Sequence, residues 1–555
     1  NRPARRRSFV EKLQILEFIG FVVIDDAFPS PAEGGGDRIS HREGEVESRC
    51  GIRRRAARRE NILRHQGCAR LVRGGTAQRA FHIADFAERN TGPAAGREGI
   101  DKRMFFLIKR ILTPVSIFLV LFLSLQGAVA KQTAPSFIRD AEIEHTLRAY
   151  ARPLFKAAGL NSGDVEIYII NSNDLNAFVA NGQRMFVFRG LLERVETPGQ
   201  LKGVIAHETG HIAGGHLART HDAIANANIK SIVGMLLGVV AAAAGGGGAG
   251  AAVAIGSQDA ATKSFLQYSR TQESSADQAA ITYLDRTGQS GRGMAEFLEI
   301  IGKGEYQPQS TIASYYRSHP VSSERVSALS QRIAKSPYKD VPESEEDVIA
   351  LKRMQAKLFG FTRPLPKTLA KYPLSDTSLE ARYARAIGYF RYPDLDKALG
   401  EIDSLIAEHP TDPYFHELKG QALYENGNIF EALPSLETAV GLAPSEPLLL
   451  TFYGTILNAT GDPLNSEKAI AILNDSLGYD PNNGTTWDQL AIAYSRTGDT
   501  GMLSLASAER SLLEGDFQKA IFHAERAQDF FKVGSPSYLR LEDIITLASR
   551  AGKQN

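Results

Sequence analysis

The sequence predicts an α+β domain followed by an all-α repeat domain, and three observations predict it. Two strand-like apolar runs lie among helical periodicities between residues 131 and 335. A recurrence of Ala, Pro and Gly near 34 residues takes over from about residue 376. The chain has 555 residues, 43% apolar and 23% charged, too long for one domain and ordinary enough to fold. Those figures exclude a disulfide-stapled mini-protein and a wholly disordered chain. The net charge is +1, but residues 1–103 hold 21 basic against 14 acidic residues and the remainder 43 against 49. A mildly acidic main body argues for no nucleic-acid partner.

Taken in order, residues 1–103 are Arg-rich with little apolar periodicity, and the first methionine is Met104. They are expected to be upstream over-translation without ordered structure. Residues 104–130 then read as a secretory signal peptide: Lys109-Arg110, the apolar run Ile111 to Leu125, and Ala128-Val129-Ala130. The run is short against the ~20 residues of a membrane span. The mature chain is expected to begin near Lys131, and both cysteines, Cys50 and Cys68, precede it. A cysteine-free exported protein fits a bacterial envelope. Left uncleaved, residues 105–125 would instead anchor the chain in the cytoplasmic membrane.

Within the 131–335 domain, Ala141 to Gly159 has helical spacing, and Val165–Ile170 and Met185–Phe188 read as strands, with Asn181-Gly182 turning into the second. Helices are expected from Thr197 onward. Residues 336–375 carry Pro, Lys and an acidic run around one helical stretch, and read as a linker. From 376 to 550, Ala398 and Ala432, Pro410 and Pro444, and Gly427 and Gly461 are each 34 apart. The next unit is 37 long by the same markers, with its extra residues expected in the turn between Gly461 and Ala469. Gly515-Asp516 with Ala520 suggests a further helix pair. The period and markers resemble tetratricopeptide repeats, whose small residues let paired helices approach and bury a continuous core.

The chemistry lies in Thr197-Pro-Gly-Gln-Leu-Lys-Gly-Val-Ile-Ala-His207-Glu208-Thr-Gly-His211. Thr197 with Gln200 makes a capping-box start and Pro198 suits the first helical position. On that helix His207 and His211 are i and i+4, stacked on one face as two imidazoles sharing a metal must be, with Glu208 placed to take a proton from water. This is the H-E-x-x-H zincin motif, so the α+β domain is expected to be a zincin-like metalloprotease binding one Zn²⁺ per chain.

Tetrahedral zinc needs a third protein ligand. The metzincin spacing fails: Gly214 is present, but position 217 is leucine and the histidine is His216, one residue short. A gluzincin takes a glutamate from a later helix. Glu273 and Asp277 are i and i+4 on the next long helical stretch, so Glu273 can ligate while Asp277 accepts a hydrogen bond from a ligand histidine.

His207-Glu-Thr-Gly-His211, Glu273-Ser-Ser-Ala-Asp277, and Ser318-His319-Pro320 with Arg325 together resemble the HtpX/BepA-type gluzincin metallopeptidases. The pairing of signal peptide, protease and C-terminal repeats resembles the BepA branch. The resemblance implies that His207, His211 and Glu273 bind zinc and that Glu208 is the catalytic base. It further implies that His319 occupies the open metal position in a resting state and that Arg325 stabilises the transition state. Zinc of this kind polarises the scissile carbonyl and activates water, and Arg325 or His319 would stabilise the developing oxyanion.

An extended substrate is expected to add as a strand beside Met185, Phe186, Val187 and Phe188. Residues 231–257 lack charge and are rich in Ala, Gly and Val, which suggests a lid or a peripheral membrane contact over the cleft. The resemblance implies a periplasmic endopeptidase for misfolded or stalled envelope proteins. Its repeats would dock to the outer-membrane assembly machinery. The competing expectation is a chaperone or assembly adaptor whose protease is latent.

Overall fold

Asp140 caps the first described helix, its carboxylate accepting from the Ile143 backbone N–H at 2.9 Å. The computed structural model describes residues 136–180, 183–216, 270–303, 315 and 318–552. The upstream segment 1–103, the expected signal peptide 104–130, the Asn181-Gly182 turn and the charge-free run 231–257 lie outside the described residues. Among the described residues no helix is long and apolar enough to cross a membrane.

The first unit is β1 (Phe137–Ile138), α1 (Ala141–Ala157), β2 (Glu166–Ile170), β3 (Ala177–Ala180) and β4 (Arg184–Phe188). The strands form one sheet in the order β1-β2-β4-β3. β4 runs parallel to β2, with Met185 opposite Ile167, and antiparallel to β3, with Met185 opposite Val179. Met185–Phe188 is therefore an interior strand, not the edge expected to receive a substrate. Both of its hydrogen-bonding sides are already used, so no further strand can add to it. The sequence reading missed β3, whose four residues Ala-Phe-Val-Ala are all buried and show no alternation to announce a strand.

After α2 (Arg189–Arg194), the metal-motif helix α3 (Pro198–Ala213) begins as expected. Thr197 Oγ1 accepts from the Gln200 N–H at 3.3 Å. Gln200 reaches back one residue further than a capping box requires, accepting from the Glu196 N–H at 2.8 Å. α3 packs against α4 (Arg270–Arg286) and α5 (Arg292–Lys303). The α4 contact is close because position 210 is glycine: a Cβ there would lie 2.9 Å from the Ala276 carbonyl oxygen. α6 (Ser323–Ala334) closes this side, capped by Ser322.

The stretch 336–375 is not a linker. It holds α7 (Glu345–Thr362) and α8 (Leu365–Lys371). The acidic run forms the first turn of α7 behind the Ser344 cap, where carboxylates favour the positive end of the helix dipole. Leu351, Met354, Leu358 and Phe361 are buried at helical spacing. Gln355 Nε2 donates to the carbonyls of Leu192 and Val195. α7 is thus part of the catalytic unit's core.

Helices then run in antiparallel pairs: α9 (Leu379–Arg391) with α10 (Leu395–Glu408), α11 (Pro413–Glu425) with α12 (Ile429–Leu442), and α13 (Pro447–Ala459) with α14 (Pro463–Tyr479). α15 (Gly484–Thr497) with α16 (Thr500–Glu514) and α17 (Phe517–Gln528) with α18 (Pro536–Gly552) complete the array. The small residues Ala398, Ala432 and Ala469 are fully buried between helices. The longer unit gains nothing in its turn: α14 starts two residues after Gly461 as α12 starts two after Gly427. The three extra residues lengthen the helix itself, 17 residues in α14 against 14 in α12.

Buried charge ties α1 to α7 and the first repeats. Glu142 meets Arg353 Nη2 at 2.7 Å, Lys357 Nζ at 3.4 Å and the Tyr383 hydroxyl at 2.7 Å. Lys357 also meets Asp140 at 2.9 Å and Glu417 at 3.6 Å.

Candidate metal centre

His207 and His211 stand one turn apart on the buried face of α3, and α4 brings Glu273 opposite them. His319 arrives from the loop before α6. All four are buried, and one ligand atom from each lies within 4.8 Å of all the others. His207 Nε2 is 3.0 Å from His211 Nε2 and 3.3 Å from His319 Nδ1. Glu273 Oε1 is 3.2 Å from His211 Nε2 and 3.1 Å from His319 Nδ1, and Glu273 Oε2 is 3.5 Å from His207 Nε2.

These spacings and the chemistry of the donors fit zinc. A tetrahedral shell with bonds of 2.0–2.2 Å has donor-to-donor separations of about 3.3–3.6 Å. Outer contacts also turn lone pairs, not protons, inward. His207 Nδ1 lies 2.9 Å from Asp277 Oδ1, so its proton belongs on Nδ1 and Nε2 is free to ligate. His319 Nε2 lies 3.2 Å from the Ala177 carbonyl, which can only accept, so its Nδ1 is the acceptor facing the cluster. Three imidazole lone pairs and a carboxylate converging at these distances repel unless a cation lies between them.

Burial and charge set the protonation of each group. Burial opposes the charged form of His207, but with no cation among the donors the carboxylates of Asp277 and Glu273 outweigh it and raise its pKa to about 10, so a bound metal would take the place of the second proton on Nε2. Burial drives His211 down to about 3. Burial also pushes Glu273 up, but the pull of His319, His207 and His211 beside it carries it far below the usual carboxylate range. Glu208 shifts the other way, raised by burial against the pull of His319 and His207. It is fully buried, neither of its oxygens makes a hydrogen bond, and Oε1 lies 3.4 Å from His319 Nε2. An uncommitted carboxylate with a raised pKa beside a metal-binding cluster is suited to accept and return a proton.

Arg325 is placed differently from the expectation. Its Nε and Nη2 donate to the two oxygens of Asp277, and Nη1 meets Glu273 Oε2 at 2.7 Å and the Pro320 carbonyl at 2.7 Å. All three guanidinium nitrogens are engaged behind the ligands, with one Nη2–H left over, so the contacts Arg325 makes here are ones that orient carboxylates. Asp277, held between Arg325 and His207, occupies the orienting position expected of it, and its carboxyl stays below the ordinary range despite burial.

Three contributors were not read from the sequence. Tyr315 stacks on the His319 ring with centroids 4.8 Å apart. Asn176 accepts from the Ser318 hydroxyl at 3.1 Å, fixing the residue before His319. His216, noticed only for missing the metzincin register, has its Nδ1 2.9 Å from His211 Nδ1. For Tyr315 the one available signal is its place four residues before His319.

Fold and site together define a zinc metallopeptidase. Residues 138–333 match Peptidase family M48, and the chain carries a domain of that family. Over 380 residues it is 24% identical to the beta-barrel assembly-enhancing protease of Yersinia pestis, covering 68% of this chain and 77% of the relative. The protein of the same name from Escherichia coli K12 is 25% identical over 411 residues, 73% of this chain and 82% of the relative. Metalloprotease YcaL of Escherichia coli K12 is 27% identical over 216 residues, 37% of this chain and 79% of the relative.

Proposed function

We propose that the chain is an endopeptidase in which His207, His211 and Glu273 hold zinc and Glu208 is the general base. His319 closes the fourth position at rest. The observation that carries this reading is the convergence of four buried donors, all within 4.8 Å of one another, beside a glutamate whose oxygens make no hydrogen bond. Zinc, when bound, supplies Lewis acidity towards the scissile carbonyl and the attacking water. Glu208 takes the proton from the water at a carboxylate oxygen and returns it to the leaving amine. Asp277 and Arg325 keep the ligands oriented.

The substrates in this reading are misfolded or stalled envelope proteins in the periplasm. The helical pairs dock the enzyme to outer-membrane assembly machinery. Support comes from the relatives, whose name couples a protease to beta-barrel assembly and whose matches, 380 and 411 residues long, exceed the peptidase region 138–333.

His319 also favours a second reading, a latent protease that works mainly as an assembly adaptor, because its Nδ1 takes the place a substrate oxygen needs. Casein cleavage by the wild-type chain, His319→Ala and Glu208→Gln separates the two. A restrained protease gives low wild-type activity, raised in His319→Ala and abolished in Glu208→Gln. Zinc bound with no cleavage by any of the three would leave the adaptor.

A further inference from the structure

His216 follows α3 by three residues and is turned back onto it by a glycine pair. The Gly214 N–H donates to the Gly210 carbonyl at 2.9 Å and the Gly215 N–H to Ile212 at 3.1 Å. The His216 N–H then closes on the carbonyl of His211 itself at 3.2 Å. The reversal needs Gly215, whose φ of +59° is left-handed and strains any residue with a Cβ. It needs Gly214 for a different reason: a Cβ there would lie 2.6 Å from His216 Nε2, inside the space the ring fills. The returned ring meets His211 edge to face, with centroids 5.0 Å apart and Nδ1 to Nδ1 at 2.9 Å. Gln272, next to Glu273, donates to the His216 carbonyl at 3.2 Å and ties the turn to α4.

The two δ nitrogens can share only one proton between them. His211 presents Nε2 to the cluster, so Nε2 must carry the lone pair and Nδ1 the proton. His211 Nδ1–H therefore donates to His216 Nδ1, and the proton of His216 sits on Nε2.

We propose that His216 is a positioning residue that holds His211 in the tautomer and ring orientation that bind metal, doing for His211 what Asp277 does for His207. The proposal rests on the reading of His211 as a zinc ligand. A neutral acceptor on a glycine-built turn replaces the usual carboxylate, leaving the cluster without another negative charge. Outer partners of ligand histidines are typically worth 10–100-fold in metal affinity.

The test is zinc affinity of the full chain, read by competition with a chromophoric chelator, with no dependence on cleavage. His216→Leu is expected to weaken zinc about 10–100-fold. Asn places its oxygen where His216 has Nδ1, whereas Gln places it one atom further out. His216→Asn should therefore stay near wild type and His216→Gln should not. Gly214→Ala, which keeps the histidine but displaces its ring, should reproduce the loss seen in His216→Leu. His211→Ala is the control for the site: wild-type affinity in that variant would overturn the ligand reading itself. Zinc lost in His211→Ala but held at wild-type affinity in His216→Leu would overturn the proposal alone. So would equal affinities for the Asn and Gln variants.

Discussion

Arg325 grips Asp277 with two parallel hydrogen bonds, Nε to Oδ2 at 2.8 Å and Nη2 to Oδ1 at 2.9 Å. Asp277 in turn lies 2.9 Å from His207 Nδ1. The guanidinium thus acts on the metal centre through Asp277 and His207 and also directly on Glu273, and a planar fork is required to hold both Asp277 oxygens at once.

Arg325→Lys keeps the charge and loses the fork. Zinc affinity should fall by roughly tenfold or more, with kcat recovering as zinc is raised. A variant with wild-type zinc affinity and a lowered kcat at saturating zinc would instead support the transition-state role that the family resemblance implies.

Lys357 joins Asp140 and Glu142 of the catalytic unit to Glu417 of the second helix pair. Removing one member of a buried ionic network strands the others and costs about 3–5 kcal/mol. Lys357→Met should destabilise the chain by that order in urea unfolding. A change below about 1 kcal/mol, the worth of an exposed pair, would mean the network is solvated.

The same network has a pH signature. Burial raises Glu417 to about 8 against the pull of Lys357, with Asp140, Glu142 and Glu446 adding to the rise, and burial raises Glu446 to about 7. Both ordinarily titrate near 4.5. Between about pH 4.5 and 8 the folded chain keeps protons that the unfolded chain has released, so stability falls as pH rises through that window. Glu417→Gln should flatten the fall and raise the melting temperature at pH 8. Parallel melting curves for the two proteins from pH 5 to 8 would contradict it.

What was legible in the sequence was local. His207, Glu208 and His211 declare themselves because one helix turn fixes their geometry, and Glu273 with Asp277 repeats that i, i+4 logic. Residues 345–362 were misread because an acidic run and flanking prolines outweighed Leu351, Met354, Leu358 and Phe361 at helical spacing. β3 was invisible because an all-buried strand of four has no period. Arg325 was found by resemblance, but its grip on Asp277 was not legible, since which way a guanidinium faces depends on helices far apart in sequence. His216 needed the left-handed Gly215 turn, which the Gly-Gly pair permits but does not announce.

The most direct measurement is the zinc content of the purified chain beside that of His207→Ala/His211→Ala, by elemental analysis after dialysis. One equivalent in the wild type and none in the double variant is the result expected. A wild-type chain without zinc, or a double variant that still holds one equivalent, would contradict the metal centre described here.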